Sequence, residues 1–164
     1  MELKKSTSLG GLIHSDYNDI GTIDYKDFMT IAKTIGCIVE DTRDIFKRMV
    51  FNILAINHDD HVKNFSFLMD KSGQWSISPA YDMTYIQGGR WTKGHQLTCN
   101  GKENEITWED IKTVAESCGI TDALSLAQEV QHALQSFAKE AKAAELGAAV
   151  IKKVQKELKL KLIP

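Results

Sequence analysis

Cysteine is scarce in this chain: Cys37, Cys99 and Cys118 are three among 164 residues, odd in number, widely separated and without a CxxC pair. That pattern excludes a disulfide framework and a zinc ribbon, and fits thiols kept reduced. Long apolar runs are also missing, and none approaches the ~18 residues that cross a bilayer. The opening Met1-Glu2-Leu3-Lys4-Lys5-Ser6 lacks the apolar core of a signal peptide. The expected location is the cytoplasm, with no membrane contact. Neither charge dominates: 20 Lys and Arg face 22 Asp and Glu for a net charge of -2, so no global field points to nucleic acid and no excess acidity to disorder. Glycine loops for nucleotides are absent as well. Gly10-Gly11 fits neither GxxxxGK followed by Ser or Thr nor GxGxxG, and reads as a turn. The length suits one domain, residues 1–164, around one core.

What is present is a succession of amphipathic stretches. Residues 1–21 are polar and glycine-containing and are expected to be irregular. From Ile23 onward, Phe28, Ile31, Ala32 and Ile35 recur at helical intervals, with Thr22 or Asp24 as cap and Gly36 as terminator. Between Asp41 and Ile56, the residues Ile45, Phe46, Met49, Val50, Ile53 and Leu54 draw a stripe down one side of a longer helix, with Asp41 and Thr42 at its start. This helix is expected to be central and buried. Phe65 and Phe67, then Trp75 and Ile77, alternate with serines around Asp70-Lys71-Ser72-Gly73, which reads as a β-hairpin. Pro79 ends its second strand and puts Tyr81-Asp82-Met83 on a loop, returned beside the start of the hairpin. Residues 86–105, with Gly88-Gly89 and Asn100-Gly101-Lys102, read as a flexible segment containing one short strand around Gln96 to Cys99. Thr107-Trp108-Glu109-Asp110 is a capping-box variant for a helix ending at Gly119. Beyond Thr121, two helices meeting near Gly147 are expected, and the lysines from Lys152 to Lys161 read as a solvated helix face rather than a nucleic-acid site.

The densest chemistry lies in Asn57-His58-Asp59-Asp60-His61-Val62-Lys63-Asn64, between the long helix and the hairpin. Ionisable groups crowded at the junction of two core-forming elements cost stability, so a fold that retains them there uses them. In a protein-kinase catalytic loop an Asp handles the substrate hydroxyl proton, an Asn five positions later holds magnesium, a hairpin follows, and a second Asp holds metal. Asp59, Asn64, the expected hairpin and Asp82 reproduce that order and spacing. Hard Mg²⁺ takes oxygen ligands, which suits an amide and a carboxylate.

Asn57 to Leu68 and Ser78-Pro79-Ala80-Tyr81-Asp82-Met83-Thr84 resemble the catalytic and metal-binding motifs of the HipA-like serine/threonine kinases, toxins of bacterial toxin-antitoxin pairs. The resemblance runs from about Leu12 to Ile120. Its DxHxKN motif falls on Asp59, His61, Lys63 and Asn64. It implies a mainly α (α+β) fold, a helical kinase-like C-lobe with a small β-hairpin. It also implies ATP-dependent phosphorylation of a protein hydroxyl, with Asp59 as base, His61 and Lys63 in the catalytic loop, and Asn64 and Asp82 on Mg²⁺. An antitoxin with a helix-turn-helix DNA-binding domain is the implied partner. His61 and Met83-Thr84 depart from generic protein kinases as this group does. The 58 residues before Asp59 hold no glycine-rich phosphate cover and no strand-borne Lys with a Glu partner. The expectation is therefore a C-lobe without its N-lobe, weak alone: an excised fragment, a degenerate gene product, or a chain whose N-lobe comes on another polypeptide.

Other readings stand beside this one. His58, Asp59, Asp60 and His61 could form the metal site of a hydrolase. The chain could also be a kinase remnant that only docks a partner. Residue by residue, His58 and His61 could pack on each other at the helix end, Asp60 reads as a helix-end or surface charge, Tyr81 as core, Lys63 as a phosphate contact or a solvated lysine, and His95 has no evident partner.

Overall fold

The computed structural model describes residues 3–14, 20–90 and 92–164; Trp91 lies outside them, as do residues 1–2 and 15–19, both within the stretch expected to be irregular. In chain order the elements are β1 (Leu3–Ser8), α1 (Leu9–Ile13), α2 (Tyr25–Thr34), α3 (Val39–Ala55), β2 (Ser66–Asp70), β3 (Trp75–Ile77), α4 (Trp108–Ser117), α5 (Ala123–Gln135), α6 (Phe137–Ala143) and α7 (Ala148–Glu157). The fold is thus mixed, mostly helical, with one small antiparallel sheet in the order β1-β2-β3.

The first helices form where their caps direct. Asp24 accepts from the Lys26 N–H at 3.0 Å while Asp27 accepts from the Asp24 N–H at 3.0 Å, so two donors left over at the start of α2 are satisfied. Gly36 at φ +90° turns the chain away after α2. The 17 residues of α3 begin two positions before the expected start. Asp41 is therefore inside the first turn, where it accepts from the Ile38 N–H at 3.1 Å and from the Ile77 N–H at 3.1 Å. One carboxylate both starts the helix and anchors β3.

As its stripe predicted, α3 is the axis of the core. Ile45, Phe46, Met49, Val50, Ile53 and Leu54 are fully buried, and α2 and α5 pack against this helix. Phe28 of α2 meets Phe65 with ring centroids 4.9 Å apart and Phe67 edge-on at 5.7 Å. Each such ring buried stabilises the fold by about 1.5–3 kcal/mol, and these contacts lock the sheet onto the helical layer.

The hairpin is present, with Phe67 opposite Ile77 and Met69 opposite Trp75. Its turn is held by the Asp70 carboxylate, which accepts from the Ser72 and Gln74 N–H groups at 2.9 and 3.0 Å, and by Gly73 at φ +89°. The expectation of an irregular start is wrong: residues 3–8 form β1, antiparallel to β2 from Ser8 opposite Ser66 to Leu3 opposite Asp70. The hairpin is two strands of three. The first turn of α1 is capped by Ser8 Oγ, which accepts from the Gly11 N–H at 3.0 Å.

Two further expectations are corrected. Residues 95–99 form no strand. They thread the core with His95, Leu97 and Cys99 at 0 to 1% exposure and are held by isolated bridges, Asp24 to Thr98 and Cys99 to Lys102. After Asp122 there are three helices rather than two. The first is broken at Ser136, whose hydroxyl donates back to the Ala133 carbonyl at 2.8 Å, a bond that competes with the helix ladder and bends it. The break near Gly147 falls where expected, as the N-cap of α7. Among the described residues no helix is long and apolar enough to cross a membrane.

Candidate active site

The site begins where α3 stops. Ile56 closes the helix in the left-handed conformation, φ 55°, and throws the next residue sideways. That residue, Asn57, is 1% exposed and acts as a hub. Its amide nitrogen donates to Asn52 Oδ1 at 3.0 Å and to the backbone carbonyl of Asp82 at 3.2 Å. Its amide oxygen accepts from the Thr84 hydroxyl at 3.2 Å. The backbone adds a short parallel bridge, in which the His58 N–H donates to the Ile86 carbonyl at 3.0 Å and the Ile86 N–H to the Ile56 carbonyl at 3.1 Å. Arg48 on α3 donates to the Ser78 carbonyl at 2.6 Å, fixing the chain as it leaves β3 ahead of Pro79. The segment after the hairpin is thereby sewn to the end of α3.

Within the loop, the five-residue spacing has a direct structural expression. Asn64 Nδ2 donates to the Asp59 carbonyl at 2.8 Å, and the Asn64 N–H donates to the His61 carbonyl at 2.9 Å. The Lys63 N–H donates to His61 Nδ1 at 3.2 Å, which puts the ring proton on Nε2. That nitrogen faces Asp59 Oδ1 at 3.8 Å, beyond hydrogen-bond reach. Asp59 keeps 41% of its side chain exposed; Asp82 and Lys63 are exposed, and Asn64 and His61 half-buried. Tyr81, expected in the core, is at the surface. Its hydroxyl donates to the Lys63 carbonyl at 2.7 Å and lies 2.6 Å from Ser66 Oγ. Asp59 and Asn64 are thus joined by a hydrogen bond, and Asp82 is tied to the same hub through its backbone.

Beneath the loop lies a buried polar cluster that sequence reasoning missed. Asp60, expected at the surface, is 1% exposed. Its carboxylate accepts from the Tyr25 hydroxyl at 2.7 Å, from the Gln96 N–H at 2.7 Å, and pairs with His95 Nδ1 at 3.0 Å. Asn52 Nδ2 in turn donates to the Tyr25 hydroxyl at 2.9 Å, so the cluster runs continuously into Asn57. His95, which seemed partnerless, is held by Asp60, while its Nε2 is buried with no hydrogen-bond partner. His58 packs not on His61 but edge-on against His95, ring centroids 4.6 Å apart, with its Nδ1 3.2 Å from the Thr92 carbonyl. Burial, and next the neighbouring His95, lower the His58 pKa and favour its neutral form. Burial above all, then Asp60, raise the Tyr25 phenol well above its usual value, so it remains a donor. The one sequence signal for this cluster was polarity between 92 and 98, which reads equally as loop.

The four groups proposed for a hydrolase do not converge. Asp60 is turned inward to three donors and His58 to Thr92. Among the described residues no three His, Cys, Asp or Glu side chains are grouped to hold a metal ion.

A mostly helical chain with a small antiparallel sheet, carrying a polar loop between its core helix and its hairpin, defines the class of molecule. The model of the HipA-like C-terminal domain matches residues 4–145, and the chain belongs to that family. A Haemophilus influenzae protein named "Putative kinase" is 32% identical over 80 residues, which cover 45% of this chain and 23% of that protein. The structure of a Shewanella oneidensis MR-1 toxin-antitoxin complex of HipA, HipB and operator DNA contains a chain of the same fold, with a TM-score of 0.74 at 15% identity. That match covers 97% of this chain and 42% of the other. The chain therefore spans less than half the length of either relative.

Proposed function

We propose that this chain is the phosphotransfer lobe of a HipA-like serine/threonine kinase, moving the terminal phosphoryl group of ATP to a protein hydroxyl. The observation that carries this reading is the hub at Asn57, which ties the Asp82 backbone to the loop in which Asn64 is hydrogen-bonded to Asp59. Asp59, partly exposed, accepts the substrate hydroxyl proton. His61, its ring steadied by the Lys63 N–H, stands 3.8 Å from that carboxylate, and the Lys63 ammonium meets phosphate oxygens.

The donor set suits magnesium. Because Asn64 gives its NH₂ to Asp59, its oxygen remains the ligand end of the amide, and Asp82 adds an exposed carboxylate; two hard oxygen donors without a soft one favour Mg²⁺ over transition metals. When bound, magnesium supplies charge neutralisation at the transferred group. The chain covers 23% and 42% of the two relatives, and in this reading the cover over the nucleotide is supplied by polypeptide outside these residues. By analogy with the HipA, HipB and operator DNA complex, the partner is an antitoxin, to which the family resemblance adds a helix-turn-helix DNA-binding domain.

The test is phosphate transfer to a protein substrate from radiolabelled MgATP. The chain alone is expected to turn over near background, and the chain joined to the missing lobe to be active. Asp59→Asn in the joined form should lose about 10²–10⁴-fold in rate. Undiminished activity in Asp59→Asn would refute the assignment, and robust turnover by these residues alone would refute the divided lobe.

A further inference from the structure

The segment behind the matched residues reaches back to the site. The Lys159 N–H donates to the Leu54 carbonyl in the last turn of α3 at 2.9 Å. Gln131 of α5 donates to the Leu160 and Ile163 carbonyls at 2.8 and 3.1 Å. The tail is thus anchored on two helices, and α7 ends just before it at Glu157. One oxygen of the Glu157 carboxylate accepts from both the Tyr85 hydroxyl and Gln87 Nε2, and Gln87 Nε2 also lies 2.9 Å from the Tyr85 hydroxyl. Residues two apart in an extended stretch point to one side, so Tyr85 and Gln87 face α7 together. Ile86 between them carries the backbone bridge to residues 56 and 58.

The stretch that starts at Asp82 therefore has two kinds of tether. Asn57 holds its beginning from the α3 side, at the Asp82 carbonyl and the Thr84 hydroxyl. Glu157 holds its end from the α7 side. A charged acceptor makes the stronger hydrogen bonds, and burial, followed by Glu157 itself, keeps the Tyr85 phenol above its usual pKa and so a donor. Without Glu157 the stretch is held from the α3 side only, by Asn57 and the Ile86 bridge.

We propose that Glu157 is a positioning residue: α7 is a strap that fixes the Asp82 stretch against the end of α3 and so sets the site's cation affinity. The second half of this statement rests on reading Asp82 as a cation ligand. The test uses the full chain and two readouts, amide hydrogen exchange at Ile86 and binding of Mn²⁺ alone, followed by its electron paramagnetic resonance signal. Glu157→Ala is expected to speed exchange at Ile86 by roughly tenfold or more while core amides of α3 keep their protection. Its Mn²⁺ affinity should fall roughly threefold to tenfold, and Glu157→Gln, which keeps an acceptor oxygen, should recover most of both. Asp82→Ala supplies the reference for loss of the ligand. Unchanged exchange and unchanged affinity in Glu157→Ala would overturn the proposal, as would a loss of protection spread evenly over α3. Faster exchange at Ile86 in a chain that takes up no Mn²⁺ even as wild type would uphold the strap and sink the cation reading.

Discussion

Replacing Asp60 by alanine is the sharpest probe of what holds the loop in place. Three donors converge on its carboxylate, at 2.7 Å from Tyr25, 2.7 Å from the Gln96 backbone and 3.0 Å from His95, and all three residues are buried. Asp60→Ala strands them together. A buried donor left unsatisfied costs about 1–3 kcal/mol, and the three share one network, so the expected loss is about 3–6 kcal/mol. A domain of this size is stable by only about 5–15 kcal/mol, so much of the margin disappears. Asp60→Asn makes a graded comparison. Its oxygen can keep the Gln96 N–H, while its NH₂ faces the Tyr25 hydroxyl, whose own proton loses its acceptor. His95 must then move its proton to Nε2, which has no partner, and the expected loss is about 1–3 kcal/mol. Urea unfolding followed by circular dichroism measures both, with an m-value of about 1–3 kcal/mol/M. A loss below about 0.5 kcal/mol in Asp60→Ala, the range of an ordinary surface change, would refute the claim that this cluster supports the loop.

Two further outcomes follow from titrating groups elsewhere. At Asp110, burial opposes ionisation, but hydrogen bonds from Thr107, Lys102 and Asn100 outweigh it and hold the carboxyl well below its usual value of 3.8. A depressed folded pKa contributes stability that is complete above the unfolded value and lost as pH falls through the folded one. Acid titration of stability should therefore show a loss below about pH 4 that Asp110→Asn removes; an unchanged acid slope in that variant would contradict this. Cys37 is pushed up to about 11 by burial and by Asp41, and Cys99 and Cys118 are buried. A thiol reagent at pH 7.5 should thus find little thiolate in the native chain and all three cysteines after denaturation, and a rapid native reaction at Cys37 would count against the packing around it.

The core helices were legible because their information is local. The stripe on α3 and the Asp24 cap of α2 lie within one window of sequence, and burial follows the pattern without help from distant residues. The hairpin was legible for the same reason, since Asp70 and Gly73 write their own turn. β1 was not. Lys5, Ser6 and Thr7 show no apolar alternation, because the strand sits at the edge of the sheet, and its partner β2 begins only at Ser66. The break at Ser136 turns on one hydroxyl bond that a helical pattern of apolar residues passes over. In the site, the five-residue step from Asp59 to Asn64 carries real geometry, a hydrogen bond across the loop. Asp60 is the instructive failure. Charge predicts exposure unless partners are supplied, and its partners, His95 and Gln96, come 35 and 36 residues later, in a stretch whose polarity looked like solvent contact.

The left-handed turn at Ile56 has a counterpart: Asp82 also stands at positive φ, 51°. Non-glycine residues in that region cost of order 1–3 kcal/mol each and persist only where surroundings dictate them. Here the two bracket the Asn57 hub, one at each mouth of the loop pair, like opposed springs held shut by the folded core. Whatever molecule docks on this face meets a surface already set in shape, so little of its association free energy is consumed in ordering the backbone.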